Sequence, residues 1–282
     1  MEIIRTIEGL KKAVSEAKAA GKSVGLVPTM GALHAGHRSL VERARRENDF
    51  VVVSVFVNPT QFNNPDDLRT YPRTEEADAA MLEACGVDCA FIPSAEEIYP
   101  EPDTRVFDLG PVAEVMEGPM RPGHFNGVAQ IVSKLFDMVQ PTRAYFGEKD
   151  FQQIAVIKRM VELEGFDLQI VPCPIVREAD GLAMSSRNVR LTPEGRSIAP
   201  KIHEILLASR DLKDAGMEPV EVAARTAQAI NDVSGLEVEY YTIVDAVTMQ
   251  PIEKWSDAGV DGSVGCVTVY CGDVRLIDNI RY

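Results

Sequence analysis

Residues 26–37 read Leu-Val-Pro-Thr-Met-Gly-Ala-Leu-His-Ala-Gly-His, which puts two of the chain's four histidines, His34 and His37, three positions apart. An apolar run over 24–27 predicts a buried strand, Pro28 and Gly31 break it, and a helical pattern begins near His37 and Ser39. Two imidazoles therefore stand where a strand hands over to a helix. A helix start offers unpaired N–H groups and partial positive charge, which suits anionic phosphate. Gly36 carries no Cβ to hold a ligand off. A zinc site is the competing reading, but it needs a third ligand, and His124 and His203 lie in unrelated contexts. The Glu that follows the first His in helical zinc proteases is also missing. The pattern favours phosphate over metal.

Three more segments fall at expected strand ends, where open parallel sheets bind ligands. Asn58-Pro-Thr-Gln61-Phe62 follows the apolar run 49–57. Gly147-Glu148-Lys149-Asp150, with Gln152 and Gln153 behind it, follows Ala144-Tyr-Phe146. Arg177 to Asn188, containing Met184-Ser185-Ser186-Arg187, follows Ile175-Val176. Lys149 and Arg187 supply cations for developing phosphate charge, and Ser185 and Ser186 supply short donors. Asp150 can accept from ribose hydroxyls, while Gln61 and Gln153 are neutral, two-sided partners for a small polar substrate. Gly21-Lys22-Ser23 resembles the end of a phosphate-binding loop, but Glu16 stands where the first Gly belongs and the triplet precedes a strand. It is a turn.

The elements that position these residues can be read from periodicity. Residues 7–20 have helical spacing, and so do 75–84, 127–139 and 152–164. Strands are expected at 24–27, 49–57, 89–92, 144–146 and 168–171. Strands alternating with crossover helices predict a Rossmann-like, doubly wound parallel α/β domain over 1–175. Beyond it, helices at 194–214 and 219–233 precede strand-like 236–244, 264–269 and 275–282. These predict a smaller C-terminal α+β domain over 176–282.

Composition sets limits on function. The chain has 282 residues, 45% of them hydrophobic and 26% charged, as in an ordinary enzyme with a real core. A net charge of −14 argues against duplex DNA or tRNA as a partner. No apolar run reaches membrane-spanning length and the N-terminus lacks a signal peptide's core, so a cytoplasmic protein is expected. The five cysteines are scattered without metal-site spacing and read as buried small hydrophobes.

The motifs together resemble those of the nucleotidyltransferase-type adenylating enzymes with a His-x-Gly-His signature. The closer likeness is to the pantoate–β-alanine ligase (pantothenate synthetase) family. Its pattern stands here as Pro28-Thr-Met-Gly-Ala-Leu-His-x-Gly-His37, Phe56-Val-Asn-Pro-x-Gln-Phe62 and Tyr71-Pro-Arg-Thr74. It continues as Arg121-Pro-Gly-His-Phe125, Phe146-Gly-Glu-Lys-Asp150 and Arg177-Glu-Ala-Asp-Gly-Leu-Ala-Met-Ser-Ser-Arg-Asn188. The order is kept along the whole chain.

The resemblance implies that ATP, accompanied by Mg²⁺, activates pantoate as pantoyl-adenylate and that β-alanine then displaces AMP to give pantothenate. It implies ATP contacts at Met30, Gly31, His34, His37, Gly147, Glu148, Lys149, Asp150, Val176, Met184, Ser185, Ser186 and Arg187. Of these, His37, His34, Lys149 and Arg187 would be catalytic, and Gln61 and Gln153 would hold pantoate. It also implies a homodimer and a second domain that closes over the ATP site. Arg121 and His124 fall in a matching motif without an assigned substrate contact, and His203 reads as structural. Asp66, Asp67, Glu75, Glu76 and Asp78 are expected to form a mobile lid or a solvated helix start rather than a metal site. An adenylyl transferase acting on a phosphate-bearing acceptor would place extra cations where Gln61 and Gln153 stand. A tRNA synthetase would carry a basic appended domain. A nucleotide-sensing module would bind ATP without chemistry.

Overall fold

The computed structural model describes residues 1–282. Its strands are β1 (Glu2–Ile4), β2 (Val24–Thr29), β3 (Phe50–Val55), β4 (Cys89–Phe91), β5 (Arg143–Gly147), β6 (Gln169–Cys173), β7 (Leu236–Asp245), β8 (Ser263–Cys271) and β9 (Val274–Arg281). The helices before the third quarter of the chain are α1 (Ile7–Ala19), α2 (Ala35–Glu47), α3 (Pro65–Thr70), α4 (Glu75–Ala84), α5 (Ala95–Ile98), α6 (Glu117–Met120) and α7 (His124–Val139). There follow α8 (Phe151–Glu164), α9 (Pro193–Ile198), α10 (Lys201–Asp214) and α11 (Pro219–Asn231). The chain divides into two compact units. One comprises 1–109, 121–148 and 156–174, the other 110–120, 149–155 and 175–282.

The first unit is built on a six-stranded parallel sheet of order β1-β4-β3-β2-β5-β6. This is the doubly wound architecture that the alternating sequence pattern predicts. Central strands buried on both faces need apolar residues at nearly every position, and Val51, Val52 and Val53 are all fully buried. Val27, Val51 and Val53 pack with Leu40, Val41 and Ala44 of α2 on one face. Leu26 and Val52 alternate to the other face, where α1 and α7 lie against β2.

Among the sequence boundaries that move, two concern the candidate site. Strand β2 does not stop at Pro28 but continues to Thr29. Ser23 and Thr29 turn their carbonyls to β3 (accepting from Phe50 and Phe56), whereas Val24 turns its own to Thr142 beside β5. By this alternation the nitrogen of Pro28 faces β5, whose pairing with β2 ends at Leu26. The missing N–H therefore breaks no ladder bond. Helix α2 likewise starts at Ala35 rather than Ser39, because His34 itself is the N-cap.

The second unit carries an antiparallel sheet of order β7-β8-β9. Ile202 and Leu206 of α10 and Ile230 of α11 pack with Val267, Val269, Leu276 and Ile280. The expected helix over 194–214 is two helices, because Pro200 supplies no N–H at the junction of α9 and α10. All five cysteines are free and four are buried, with burial pushing the Cys89 and Cys266 thiols up to about 12. No helix is long and apolar enough to cross a membrane.

Candidate active site

In the first unit the site begins where β2 ends. Thr29 anchors the strand end by donating its hydroxyl to the Ser54 carbonyl at 2.6 Å, and its Oγ1 accepts the Gly31 N–H at 3.2 Å. The chain then reverses through Gly31 (φ 79°) and Ala32 (φ 49°), both left-handed. A turn of this kind exposes backbone N–H groups, and Asp78 takes two of them. Its carboxylate accepts Ala32 N–H at 2.9 Å and Leu33 N–H at 2.8 Å, and also the Thr74 hydroxyl at 3.1 Å. Asp78 is 2% exposed, so it is no part of a lid or a solvated helix start, although neighbouring Glu75 and Glu76 are exposed. A Cβ on residue 31 would meet Asp78 Oδ2 at 3.0 Å, so glycine is required there twice over, by φ and by space.

His34 and His37 complete the turn by capping α2 reciprocally. His34 Nδ1 accepts Gly36 N–H at 3.1 Å, and His37 Nδ1 accepts His34 N–H at 3.3 Å. The two rings lie 4.1 Å apart at 44°. A nitrogen that accepts carries no proton, so each neutral ring holds its proton on Nε2. The first turn of α2 has no acidic residue of its own, and Arg45 and Arg46 in the last turn complement the negative end of the helix.

Gln61 sits on a tight turn, Pro59–Gln61, just beyond β3 and is 8% exposed. Its Nε2 lies 3.0 Å from Met30 Sδ, and its Oε1 accepts Asn58 Nδ2 at 3.2 Å. The turn is held from behind by α7. The Gln61 carbonyl is 2.9 Å from His124 Nδ1, and since a carbonyl only accepts, Nδ1 carries the proton. His124 Nε2 then accepts from Arg121 Nη1 at 3.2 Å. Arg121 and His124 therefore support Gln61, a role that their sequence motif alone leaves undefined. Gly147 and Glu148 stand at the carboxyl end of β5, the neighbour of β2.

In the second unit, Lys149 and Asp150 belong to a single tight turn ahead of α8. Gln152 is buried and structural, since its Nε2 donates to the Val112 and Val115 carbonyls and its Oε1 accepts Glu117 N–H. Gln153 is half-buried on the next position of the helix. Residues 176–184 form a hairpin in which Met184 N–H bonds the Val176 carbonyl at 3.0 Å and Glu178 N–H bonds the Leu182 carbonyl at 2.8 Å. Met184, Ser185, Ser186 and Arg187 leave this hairpin half-buried. Ser185 Oγ accepts the Arg187 N–H, and Asn188 ties the loop by donating Nδ2 to the Ala183 carbonyl at 3.1 Å.

Four supporting residues are not singled out by the sequence. Asp78 looked like one acid among five, and only burial separates it from the others. Asn58 looked like part of a loop. Asp278 and Asn279 lie in the last strand, far from every motif.

The parallel sheet, with a histidine-capped helix following its second strand, defines a Rossmann-like α/β protein of the His-x-Gly-His type. A model of the pantoate–β-alanine ligase family matches residues 2–281. The chain belongs to this family. It is 61% identical to pantothenate synthetase from Porphyromonas gingivalis, over 100% of this chain and 99% of that one. Pantothenate synthetase from Bacteroides fragilis is 59% identical over the same shares. The crystal structure of pantothenate synthetase from Thermus thermophilus is similar with a TM-score of 0.92 at 47% identity, covering 100% of this chain and 99% of that one. Pantoate–β-alanine ligase from Francisella tularensis, crystallised with β,γ-ATP and β-alanine, is similar with a TM-score of 0.81 at 36% identity over 100% and 97%.

Proposed function

We propose that this protein condenses pantoate with β-alanine, consuming ATP and releasing AMP and pyrophosphate. The pantoate carboxylate attacks the α-phosphorus of ATP, the bond to the β-phosphate oxygen breaks, and pyrophosphate leaves. The β-alanine amine then attacks the acyl carbon of pantoyl-adenylate. AMP leaves, the amine gives up a proton, and pantothenate is formed. Activation is needed because a carboxylate is a poor acyl donor until AMP becomes its leaving group.

The reciprocal cap of His34 and His37 is the observation that carries this reading. It fixes two Nε2–H donors at a helix N-terminus whose own first turn holds no acidic residue, an arrangement suited to charge growing on phosphate oxygens. In the same reading Met30, Gly31 and Glu148 border the nucleotide, and Gly147 and Asp150 face its ribose. Val176 offers its backbone to the adenine, and Met184 packs against the nucleotide. Lys149, Ser185, Ser186 and Arg187 hold the phosphates, with Lys149 and Arg187 acting together with the two histidines. Gln61 and Gln153 orient pantoate, and their neutrality disfavours an acceptor that carries its own phosphate. The second domain closes over the bound ATP.

Mg²⁺ enters as part of the substrate. No group of three or more His, Cys, Asp or Glu side chains is arranged to hold a metal, and Asp78 is committed to backbone N–H groups. The donor set therefore fits an ion held by triphosphate and water, and no step is assigned to a resident metal. The proposal extends to a cytoplasmic homodimer that acts on small molecules and binds neither nucleic acid nor membrane.

The test is pyrophosphate release from Mg-ATP, first with pantoate alone and then with β-alanine added. Release with pantoate, followed by AMP and pantothenate after β-alanine, is expected. ATP binding without pantoate-dependent release would leave the sensing reading instead.

A further inference from the structure

Asp278 and Asn279 are adjacent on β9, and both are buried, 6% and 7% exposed, between Leu276-Ile277 and Ile280. Burying an acid and an amide side by side is costly unless each is fully engaged, so their partners are informative. The Asp278 carboxylate takes Arg177 in a two-pronged pair, Oδ2 from Nη1 at 2.7 Å and Oδ1 from Nη2 at 2.9 Å. Arg177 Nη1 also donates to the Gly181 carbonyl at 3.2 Å, and Arg177 bridges Ala183 across the hairpin. The base of the hairpin that presents Ser185 to Arg187 is thus fixed to β9. The next residue, Asn279, donates Nδ2 to the Lys149 carbonyl at 3.2 Å. Lys149, Ser185, Asn188 and Asp278 border one small cavity of about 10 Å³, so the two held segments are neighbours.

We infer that Asp278 and Asn279 are a positioning pair, two consecutive strand residues that set Lys149 and the Ser185–Arg187 loop at a fixed spacing for one triphosphate. The inference rests on the proposed role of those segments in holding phosphate. A strand is a stiff ruler. Successive side chains leave it on opposite faces, so one residue can grip the hairpin while its neighbour grips the turn ahead of α8. The pair touches no reacting atom and acts through the residues it holds.

The test measures ATP and adenosine affinity by calorimetry, together with pantoate-dependent pyrophosphate release, on the full chain. Asn279→Ala removes the hydrogen bond to the Lys149 carbonyl and is the variant to make first. Asp278→Asn leaves the Arg177 guanidinium half-paired, so its thermal midpoint must be recorded as well. The expected result for Asn279→Ala is roughly tenfold weaker ATP binding with adenosine affinity unchanged, and a fall in kcat with pantoate KM held. Asn279→Asp offers no N–H donor and should not rescue. Repeating Asn279→Ala in a Lys149→Ala background should cost little more, because the residue acts through Lys149. Unchanged ATP affinity, or losses that simply add in the double variant, would overturn the inference. If wild-type protein binds ATP but releases no pyrophosphate, the proposed reaction fails, and the affinities still decide whether the pair positions the phosphate grip.

Discussion

His34 and His37 each cap the backbone at the start of α2 through Nδ1, His34 on the Gly36 N–H and His37 on the His34 N–H. The same ring nitrogen in both is used for structure, and the other carries the proton that the proposed reaction would use. This separates two contributions that a simple truncation would mix. His37→Ala should lower kcat by roughly 10²-fold or more with a modest change in KM, and should also cost about 1 kcal/mol as a lost cap. In His37→Asn the Oδ1 can take the His34 N–H, so stability should return while kcat stays low. Thermal melts and pyrophosphate release, measured on both variants, check this. A His37→Asn enzyme with near-normal kcat would remove Nε2 from the mechanism.

Asp78 is the second element on which that turn depends. Asn at 78 presents one carbonyl oxygen to two backbone N–H groups and turns an NH₂ toward the other. Leaving a buried donor unsatisfied costs about 1–3 kcal/mol. Asp78→Asn should therefore destabilise the protein by that amount in urea, and should lower kcat because Ala32 and Leu33 lead directly into His34. A variant with wild-type stability and turnover would show that the turn holds its shape without the carboxylate.

How much of this could be read in the sequence depends on the kind of signal each residue leaves. Val51 to Val53, and the period-3.6 pattern of α7, are local features, so the parallel sheet and its helices followed directly. His34, His37, Lys149 and the Ser185–Arg187 loop stood out because their residue types are unusual at strand ends. Pro28 misled because a local rule says that proline ends a strand, whereas the outcome depended on which neighbour its nitrogen faces. The periodicity places the start of α2 later than Ala35 because histidine is not a usual N-cap. Asp78 and the Asp278–Asn279 pair left no local mark at all. Their roles come from contacts with residues 45 or more positions away, which only the folded chain brings near.

Gly127 tests the support behind Gln61. A Cβ there would collide with the Thr60 carbonyl oxygen and lie 2.7 Å from Gln61 Cα, both backbone atoms that cannot swing aside. Gly127→Ala should force α7 away from the 59–61 turn, at about 1–3 kcal/mol for overpacking. Since Gln61 is proposed to hold pantoate, pantoate KM should rise severalfold while ATP affinity is kept. Equal losses for both substrates would mean a general unfolding of the region instead.

Asp103 gives the first unit a pH-dependent term. Its hydrogen bonds with the Arg105 guanidinium outweigh partial burial and hold its pKa at about 2, against an ordinary 3.8. The side chain is 4% exposed. A depressed carboxylate pKa means that the unfolded chain takes up the proton first, so this stability is complete above about pH 4 and is lost as pH falls through about 2. Asp103→Asn should cost about 2 kcal/mol at pH 7 and flatten the acid limb of the stability curve between those values. An unchanged acid limb in urea titrations would assign the acid sensitivity to other carboxylates.

His203 gives the second unit a term of the same sign from the opposite kind of group. Burial, then the nearby Arg177, lowers its pKa below 6.5, and Asp278, whose Oδ2 lies 3.9 Å from Nδ1, only partly opposes them. Arg177 already holds that carboxylate, and the buried Nδ1 makes no hydrogen bond. The unfolded chain therefore binds the proton more readily. Stability is full above about pH 6.5 and declines as pH drops from there through the folded-state pKa. Protonated His203 would also compete with Arg177 for Asp278, loosening the base of the 176–184 hairpin. His203→Gln should remove the slope in this window without lowering stability at pH 8. Melting midpoints of both proteins between pH 5 and 8 provide the check, and parallel curves would show that His203 takes up its proton equally in the folded and unfolded states.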